Sequence, residues 1–148
     1  VPATLDRSPL NTPDTARFEG RMRPGAAAVD APVTRADDRP SWLLRELGDG
    51  FTALVYGDAA AGRVAVGLAQ AAEGLVPLRV VHVRPCEAAA HAEVPHSLVD
   101  HDGLVAERYD LLPGTVYLLR PDQHVCARWR QPSAEALRAA LQQALAIH

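Results

Sequence analysis

The spacing of hydrophobic residues predicts a strand, a helix and a second strand in the middle of the chain. Residues 51–56, FTALVY, form a short apolar run, and residues 78–83, LRVVHV, form a β-branched one. Both runs are typical of buried strands. Between them, apolar residues recur at helical intervals of three and four: Val64, Leu68, Ala71 and Leu75. This order within about thirty residues predicts a right-handed parallel β-α-β unit.

The C-terminal third predicts a hairpin and a final helix. Residues 115–119 and 125–129 are apolar segments whose short connection through 120–123 favours an antiparallel hairpin. Ser133 is expected to cap the last helix, and Glu135 lies favourably near its N-terminus. The apolar positions of this helix also recur at three and four residues: Leu137, Leu141, Ala144 and Leu145.

The first forty residues show no sustained period and contain prolines at positions 2, 9, 13, 24, 32 and 40. This composition predicts an extended Pro-rich strap or linker on a surface. Its expected anchor points are Leu5, Leu10, Phe18 and Met22. Ser41 is expected to cap a short helix that Gly48 ends, and another short helix is expected at 104–110. The predicted organisation is a strap over 1–40 and one domain over 41–148.

The predicted order of elements after the strap, β-α-β-α-β-β-α, is that of a thioredoxin-like domain. In this α/β fold, helices cover both faces of a mixed sheet, which gives three layers, α/β/α. The chain of 148 residues is 48% hydrophobic, enough for one core without metals or disulfides. The sequence therefore predicts one thioredoxin-like domain preceded by an extended segment.

Charge and hydropathy exclude several classes of partner. All 15 basic residues are Arg, and 18 acidic residues bring the net charge to −3, so no broad positive field favours nucleic acid. No apolar run is long enough to span a membrane, and the start, VPATLDR, is not typical of a signal peptide. We therefore expect a cytoplasmic protein, and the absence of an initiator Met favours a piece of a longer chain.

Thiol chemistry on this fold needs a reactive cysteine at the start of the first long helix, commonly as C-x-x-C. The corresponding turn reads GDAAAGR over residues 57–63 and contains no sulfur. The position before the third predicted strand, normally a cis-proline, is Thr115, and Pro113 comes two residues early. Disulfide exchange is therefore not expected, and Cys86 and Cys126 are predicted to be reduced and inert.

The same turn imitates a phosphate-binding loop, because Gly57 and Gly62-Arg63-Val64 resemble the spacing of G-x-x-x-x-G-K-[ST]. Val64 has no hydroxyl for magnesium, and Asp58 would place negative charge beside the phosphates. The sequence contains neither G-x-G-x-x-G nor G-x-S-x-G. It therefore predicts no nucleotide site, no serine hydrolase and no self-contained catalytic centre.

Residues 86–102 are rich in potential metal ligands: Cys86, Glu87, His91, Glu93, His96, Asp100, His101 and Asp102. The histidines are five residues apart, which does not suit one helical face, and Pro95 interrupts the segment. A solvated loop is therefore favoured over a zinc or nickel site. His91, His96 and His101 are the metal candidates that remain.

Other polar residues have structural interpretations. His82 lies inside a predicted strand and is expected to be a hydrogen-bonded histidine of the core or the sheet face. Arg120, Arg128 and Arg130 surround the hairpin, and Asp122 lies near them. Ion pairs or interface contacts are favoured there over an anion site.

Short motifs occur in order along nearly the whole chain: SPLNTPD at 8–14, PG at 24–25, DAP at 30–32, GF at 50–51, Asp100-x-Asp102-Gly103 and Arg120-Pro121-Asp122-x-x-Val125-x-x-Arg128-Trp129. They resemble the C-terminal region of FAD-dependent aromatic-ring hydroxylases, flavoprotein monooxygenases similar to phenol 2-monooxygenase and the polyketide-tailoring hydroxylases. The hairpin motif is the most specific. In that family this region has a thioredoxin-like fold without redox cysteines, in agreement with the prediction above.

The resemblance implies a non-catalytic accessory domain. In the family, the flavin site, the NAD(P)H contacts and the aromatic substrate pocket belong to preceding domains, whose motifs this sequence lacks. FAD and NAD(P)H are therefore implied for a parent protein, and no cofactor is implied for this chain. The implied partners are the FAD and substrate domains of that parent and, in some members, a second copy across a dimer interface. The motif residues are expected to be structural.

Two positions depart from the family pattern, and two other functions stay open. Gln123 stands where a turn often has Gly, and residues 35–38, RADD, replace a turn that commonly contains Gly, so these loops are expected to differ in shape. One alternative is a free-standing thioredoxin-like interaction module that holds a partner without thiol chemistry. The other is a metal-binding loop at His91, His96 and His101.

Overall fold

The computed structural model describes residues 8–86 and 94–146, which contribute seven strands and four helices. The strands are β1 (Pro32–Arg35), β2 (Pro40–Trp42), β3 (Phe51–Tyr56), β4 (Leu78–Pro85), β5 (His96–Asp100), β6 (Val116–Leu119) and β7 (Val125–Trp129). The helices are α1 (Leu43–Glu46), α2 (Ala59–Ala71), α3 (Leu104–Tyr109) and α4 (Ala134–Leu145). The start VPATLDR, which includes Pro2 and Leu5, lies outside the described ranges, as do Glu87, His91 and Glu93.

All seven strands belong to one mixed sheet in the order β2-β1-β5-β4-β3-β6-β7. Strand β4 is parallel to both β3 and β5, and the other four neighbouring pairs are antiparallel. The predicted parallel β3–β4 pair and the predicted β6–β7 hairpin are therefore confirmed. No helix in the described ranges is both long and apolar enough to cross a membrane.

Alternation along the strands builds a separate core on each face of the sheet. Ala53 and Val55 of β3 face a core closed by α2 and α4, whereas Leu54 faces a second core closed by α1, α3 and part of the N-terminal segment. Strand β6 divides in the same way, with Leu118 in the first core and Tyr117 in the second. This period of two explains the predicted three layers.

Helix α2 buries the predicted face except for one residue. The predicted face includes Val64, but that side chain is 37% exposed. Leu68 is buried as predicted, and Ala71 and Leu75 are partly buried against the same core. The other buried residues of α2 and its C-cap are small: Ala61, Gly62, Ala65 and Ala72. The prediction gave weight to the larger Val64, whereas the sheet and α4 pack against the alanine side of the helix.

Strand β5 corrects the prediction of a solvated loop over 86–102. Residues 96–100 pair with β4 in parallel register, and Ser97 and Leu98 are buried. The sequence HSLVD was not predicted to be a strand because it is only five residues long, follows Pro95 and begins and ends with a polar residue.

The start of the sheet contains a second correction. Ser41 does not cap α1; it lies in β2, and its hydroxyl donates to Glu46 Oε2 at 2.8 Å. Trp42 is the N-cap of α1, and Leu47, rather than Gly48, is its C-cap. Strand β1, within the segment predicted to be an extended strap, pairs with β2 on one side and β5 on the other.

The N-terminal strap, which we define structurally as residues 8–31, covers the outer edge of β7. Thr12 N donates to Cys126 O at 2.9 Å, and Gly25 N donates to Val125 O at 2.7 Å. Val125 N in turn donates to Ala26 O at 2.8 Å. An uncovered edge strand would offer these groups to other chains, so the strap also protects this edge of the sheet from edge-to-edge association.

Both turns that depart from the family pattern adopt the backbone conformation that favours glycine. Asp38 has φ +66° and Gln123 has φ +61°. A left-handed conformation is strained for residues with a side chain. The Gln123 amide partly offsets this strain, because its Nε2 donates to Leu44 O at 3.3 Å.

We expect Trp129→Ala to lower the free energy of unfolding by about 3 kcal/mol, because its ring is buried in the core beneath α4. Trp42 is the matched control: it is 48% exposed, so Trp42→Ala should change stability by less than about 0.5 kcal/mol. Urea denaturation measures both values. Equal effects of the two substitutions would contradict the assignment of Trp129 to the core.

Candidate functional site

The first candidate site is the N-terminal end of α2, where a thiol enzyme of this fold keeps its reactive cysteine. Gly57 has φ +140°, and a Cβ there would lie 2.9 Å from Ala61 Cβ, so the turn requires glycine. Asp58 is the N-cap, and its Oδ1 accepts from Ala60 N at 3.0 Å. A carboxylate thus occupies the position that would otherwise receive an anion, which disfavours phosphate binding.

A cleft of about 450 Å³ opens beside this end of α2. Its walls include Ala60, Val64, Pro113 and Pro132, and Asp58 is the one charged residue of the described chain that lines it. The same described lining contains no cysteine and no histidine. These walls therefore supply neither a nucleophilic thiol nor an imidazole base for covalent chemistry.

The two cysteines lie away from this cleft. Cys86 is exposed after β4, and Cys126 is buried in β7, where its thiol donates to Leu10 O at 3.2 Å. Burial raises the pKa of the Cys126 thiol to about 11, and the positive charge of Arg120 only partly opposes this. Cys126 is therefore held as a neutral thiol at neutral pH.

The histidine-rich stretch does not assemble a metal site in the described part of the chain, where no group of three potential ligands comes together. His96 is exposed in β5, and His101 is hydrogen-bonded through Nδ1 to Thr34 Oγ1 at 2.8 Å. Asp102 Oδ2 lies 3.4 Å from the other ring nitrogen of His101. His82 is fully buried and hydrogen-bonded through Nε2 to Gly57 O at 2.7 Å, as its position in a strand predicts.

The second candidate site is the set of motif residues, and the Asp100-x-Asp102-Gly103 motif forms the start of α3. Asp100 is buried, and its two carboxylate oxygens accept from Val105 N at 3.0 Å and Ala106 N at 2.9 Å. Gly103 is the N-cap and has φ +69°. The Asp100 carboxylate therefore satisfies backbone donors at a helix start, which is a structural use of the motif.

The Arg120-Pro121-Asp122 part of the hairpin motif shapes the β6–β7 turn. Arg120 Nη2 donates to Asp122 Oδ2, and Asp122 Oδ1 accepts from His124 N at 3.1 Å. Val125 follows as a fully buried residue of β7. The motif thus fixes the turn and the start of the last strand.

The rest of the hairpin motif binds the strap. Arg128 is 5% exposed and makes a bidentate ion pair with Asp14, with Nη2 to Oδ2 at 2.9 Å and Nε to Oδ1 at 3.1 Å. Its guanidinium also lies 4.3 Å from the centroid of the Phe18 ring. Arg130 lies 3.9 Å from the same ring and pairs with Asp110 at 2.6 Å.

We name this group the strap clamp: Asp14, Phe18, Asp110, Arg128 and Arg130. Tyr117 extends it, because its ring meets Phe18 edge to face with centroids 6.0 Å apart and its hydroxyl accepts from Arg128 at 3.4 Å. The sequence indicated that the arginines form ion pairs, but it did not identify their partners. Asp14 belongs to the SPLNTPD motif, which was the available signal.

The fold and the sulfur-free cleft define the class, a thioredoxin-like domain without a thiol centre in its described residues. A thioredoxin-like protein from Bacteroides caccae is similar in structure, with a TM-score of 0.60 at 19% identity over 82% of this chain and 50% of that one. The chain belongs to the HcaD C-terminal domain family, whose model matches residues 25–144. No curated protein matches the sequence significantly.

Flavin monooxygenases are also among the similar structures. Aklavinone-11 hydroxylase, solved with FAD and aklavinone, has a TM-score of 0.62 and 25% identity over 95% of this chain and 26% of that one. The flavin-dependent monooxygenase PieE, solved with FAD and substrate, has a TM-score of 0.65 and 19% identity over 95% of this chain and 24% of that one. The predicted resemblance is confirmed. This chain spans about a quarter of the length of either enzyme.

We expect Asp14→Asn to lower the free energy of unfolding by about 2 kcal/mol, because it leaves the buried Arg128 guanidinium without its counter-charge. The control is Asp37→Asn, since the ion pairs of Asp37 with Arg39 and Arg35, at 3.7 and 3.9 Å, are exposed. Its hydrogen bond from Arg39 N at 3.2 Å can be kept by the Asn oxygen. That change should cost less than about 0.5 kcal/mol. If both variants melt alike in urea, the clamp does not stabilise the domain.

At pH 8, a thiol reagent such as Ellman's should label the exposed Cys86 rapidly and leave Cys126 unlabelled until the protein unfolds. The reason is that the pKa of Cys126 is about 11, so only about one Cys126 thiol in a thousand is ionised at this pH. The Cys86→Ser variant isolates the buried thiol. Between pH 9 and 11 the Cys126 thiol keeps its proton in the folded protein and loses it in the unfolded chain. The free energy of unfolding should therefore fall as the pH rises from 9 toward 11. Fast labelling of native Cys86→Ser at pH 8 would refute the burial.

Proposed function

We propose that this chain is a non-catalytic accessory domain of an FAD-dependent aromatic hydroxylase. The observation that supports the proposal is that the motif residues make structural contacts. Asp100 starts a helix, Arg120 and Asp122 shape a turn, and Arg128 holds the strap at Asp14. These motif residues have structural roles, so their retention does not require a reaction in this domain.

The N-terminal end of α2 does not fit FAD. A flavin dinucleotide needs donors for its pyrophosphate, commonly at a free helix N-terminus after a glycine-rich turn. At α2 the Asp58 carboxylate already accepts the Ala60 N–H, and its charge would repel phosphate. We therefore assign the flavin, the NAD(P)H contacts and the aromatic substrate to preceding domains of a parent protein, where hydroxylation takes place.

The role of this domain in such a parent is to provide a rigid body for the FAD and substrate domains to pack against. The strap clamp and the backbone hydrogen bonds to β7 fix residues 8–31 to the sheet. The connection from the preceding domains is therefore attached to a rigid part of this domain. The monooxygenases that resemble this chain are about four times as long, which supports this division of labour. A homodimer interface and a cytoplasmic location remain part of the proposal.

The alternative, a free-standing interaction module, makes a different genetic prediction. An open reading frame that continues upstream of Val1 and encodes G-x-G-x-x-G supports the accessory domain. A start codon adjacent to Val1 supports the module.

A flavin titration tests the division of labour. We expect no quenching of FAD fluorescence by this chain at micromolar concentrations, because the Asp58 carboxylate already caps the N-terminus of α2 and would repel the pyrophosphate. The positive control is a full-length flavin monooxygenase stripped of FAD. Saturable FAD binding by this chain with a micromolar dissociation constant would overturn the proposal.

A further inference from the structure

Two aspartates of this chain are followed directly by glycine, in the pairs Asp49–Gly50 and Asp102–Gly103. An aspartate before glycine can close a cyclic imide, because the glycine has no Cβ to hinder the attack of its nitrogen on the side-chain carboxyl carbon. The attack needs a glycine N–H that is not held in a hydrogen bond and a peptide group that can rotate. The fold constrains only one of the two pairs.

The Asp49–Gly50 pair is exposed and unconstrained in the turn between α1 and β3. Among the described residues, the Gly50 N–H donates no hydrogen bond, and the Asp49 carboxylate has neither an ion pair nor a hydrogen bond. A Cβ placed on Gly50 would lie 3.7 Å from Pro77 O, which is an ordinary contact, so the glycine is not crowded. The described structure therefore leaves the Gly50 nitrogen free to approach the Asp49 carboxyl group.

The Asp102–Gly103 pair is equally exposed but is held at the start of α3. Gly103 is the N-cap of this helix, and its N–H donates to Asp100 O at 3.0 Å. Asp102 Oδ2 lies 3.4 Å from His101 Nε2. Attack by the Gly103 nitrogen would break its hydrogen bond and rotate the peptide group from which the helix begins. Exposure is thus the same at both pairs, and the difference lies in the backbone.

We propose that Asp49–Gly50 is a site of spontaneous backbone modification, at which the folded protein forms isoaspartate. First, Gly50 N bonds to Cγ of the protonated Asp49 carboxyl group, and the amide proton leaves with the carboxyl hydroxyl as water. Water then adds to the imide and breaks the bond between Gly50 N and the backbone carbonyl carbon of Asp49. The chain now runs through Cβ and Cγ, and the former backbone carbonyl is a free carboxylate. Mass and oxidation state are unchanged.

The modification alters the connection into β3. Gly48 N donates to the hydroxyl of the buried Thr52 at 3.1 Å, and this hydrogen bond spans the Asp49–Gly50 pair. Isoaspartate adds one backbone atom within the span, which disturbs the geometry that closes the bond. We expect the Gly48 amide of the modified protein to exchange with solvent about fivefold faster, the factor that the net strength of one hydrogen bond corresponds to. Unchanged exchange would refute this coupling to β3.

Peptide mapping by chromatography and tandem mass spectrometry measures isoaspartate at both pairs after incubation of the folded chain at neutral pH. We expect Asp49 to convert at least about fivefold faster than Asp102, because the hydrogen bond from Gly103 must break first. In urea, which removes the fold, the two rates should converge. Equal rates in the folded chain would overturn the proposal. A ratio that persists in urea would also overturn it, because the difference would then come from the local sequence.

Two variants assign the reaction to this pair. Gly50→Ala is the blocking variant: the added Cβ has room and φ lies outside the left-handed region, so the protein should fold. It should slow isoaspartate formation at Asp49 by at least about threefold and leave Asp102 unchanged. Asp49→Asn forms the same imide with loss of ammonia instead of water and should react faster, since it needs no protonated carboxyl group. An unaltered rate in either variant would refute the assignment.

Discussion

The buried guanidinium of Arg128 fixes how the first part of the chain lies on the rest. A charge removed from water needs both a counter-charge and hydrogen bonds, and Asp14 supplies both from a residue more than a hundred positions away. The strap is therefore held against β7 by electrostatics as well as by backbone hydrogen bonds. Phe18, whose ring contacts the guanidinium groups of both Arg128 and Arg130, depends on the same arrangement.

This constraint explains why the motifs are spread along the whole sequence. SPLNTPD supplies Asp14, the hairpin motif supplies Arg128, and Asp100 at the far side of the sheet begins the helix whose Tyr109 hydroxyl donates to Val29 O at 2.6 Å. SPLNTPD and the hairpin motif meet each other across the chain, and Asp100 does so indirectly, through the helix that it begins. These contacts hold distant segments of the chain together.

Local patterns predicted most of the elements of this fold, and tertiary contacts decided the others. Strand β3, the β6–β7 hairpin and the Ser133 cap of α4 follow from apolar runs and a capping residue, and the structure contains them. The short strands β1, β2 and β5 were not predicted, because segments of three to five residues are too short to show a strand pattern. Pairing with neighbouring strands forms them instead. Likewise, the sequence indicated ion-paired arginines, but the partner of Arg128 depends on how the strap crosses β7, which no local pattern contains.

The Asp58 cap has a consequence for thiol chemistry at the start of α2. Thiolate nucleophiles at a helix start rely on its positive end to ionise. In this chain a negative carboxylate already accepts the Ala60 N–H there. A cysteine introduced at Ala59 or Ala60 would thus have a neighbouring carboxylate that opposes its ionisation. A cysteine that replaced Asp58 itself would remove that opposition, so this one side chain decides whether the turn could hold a thiolate.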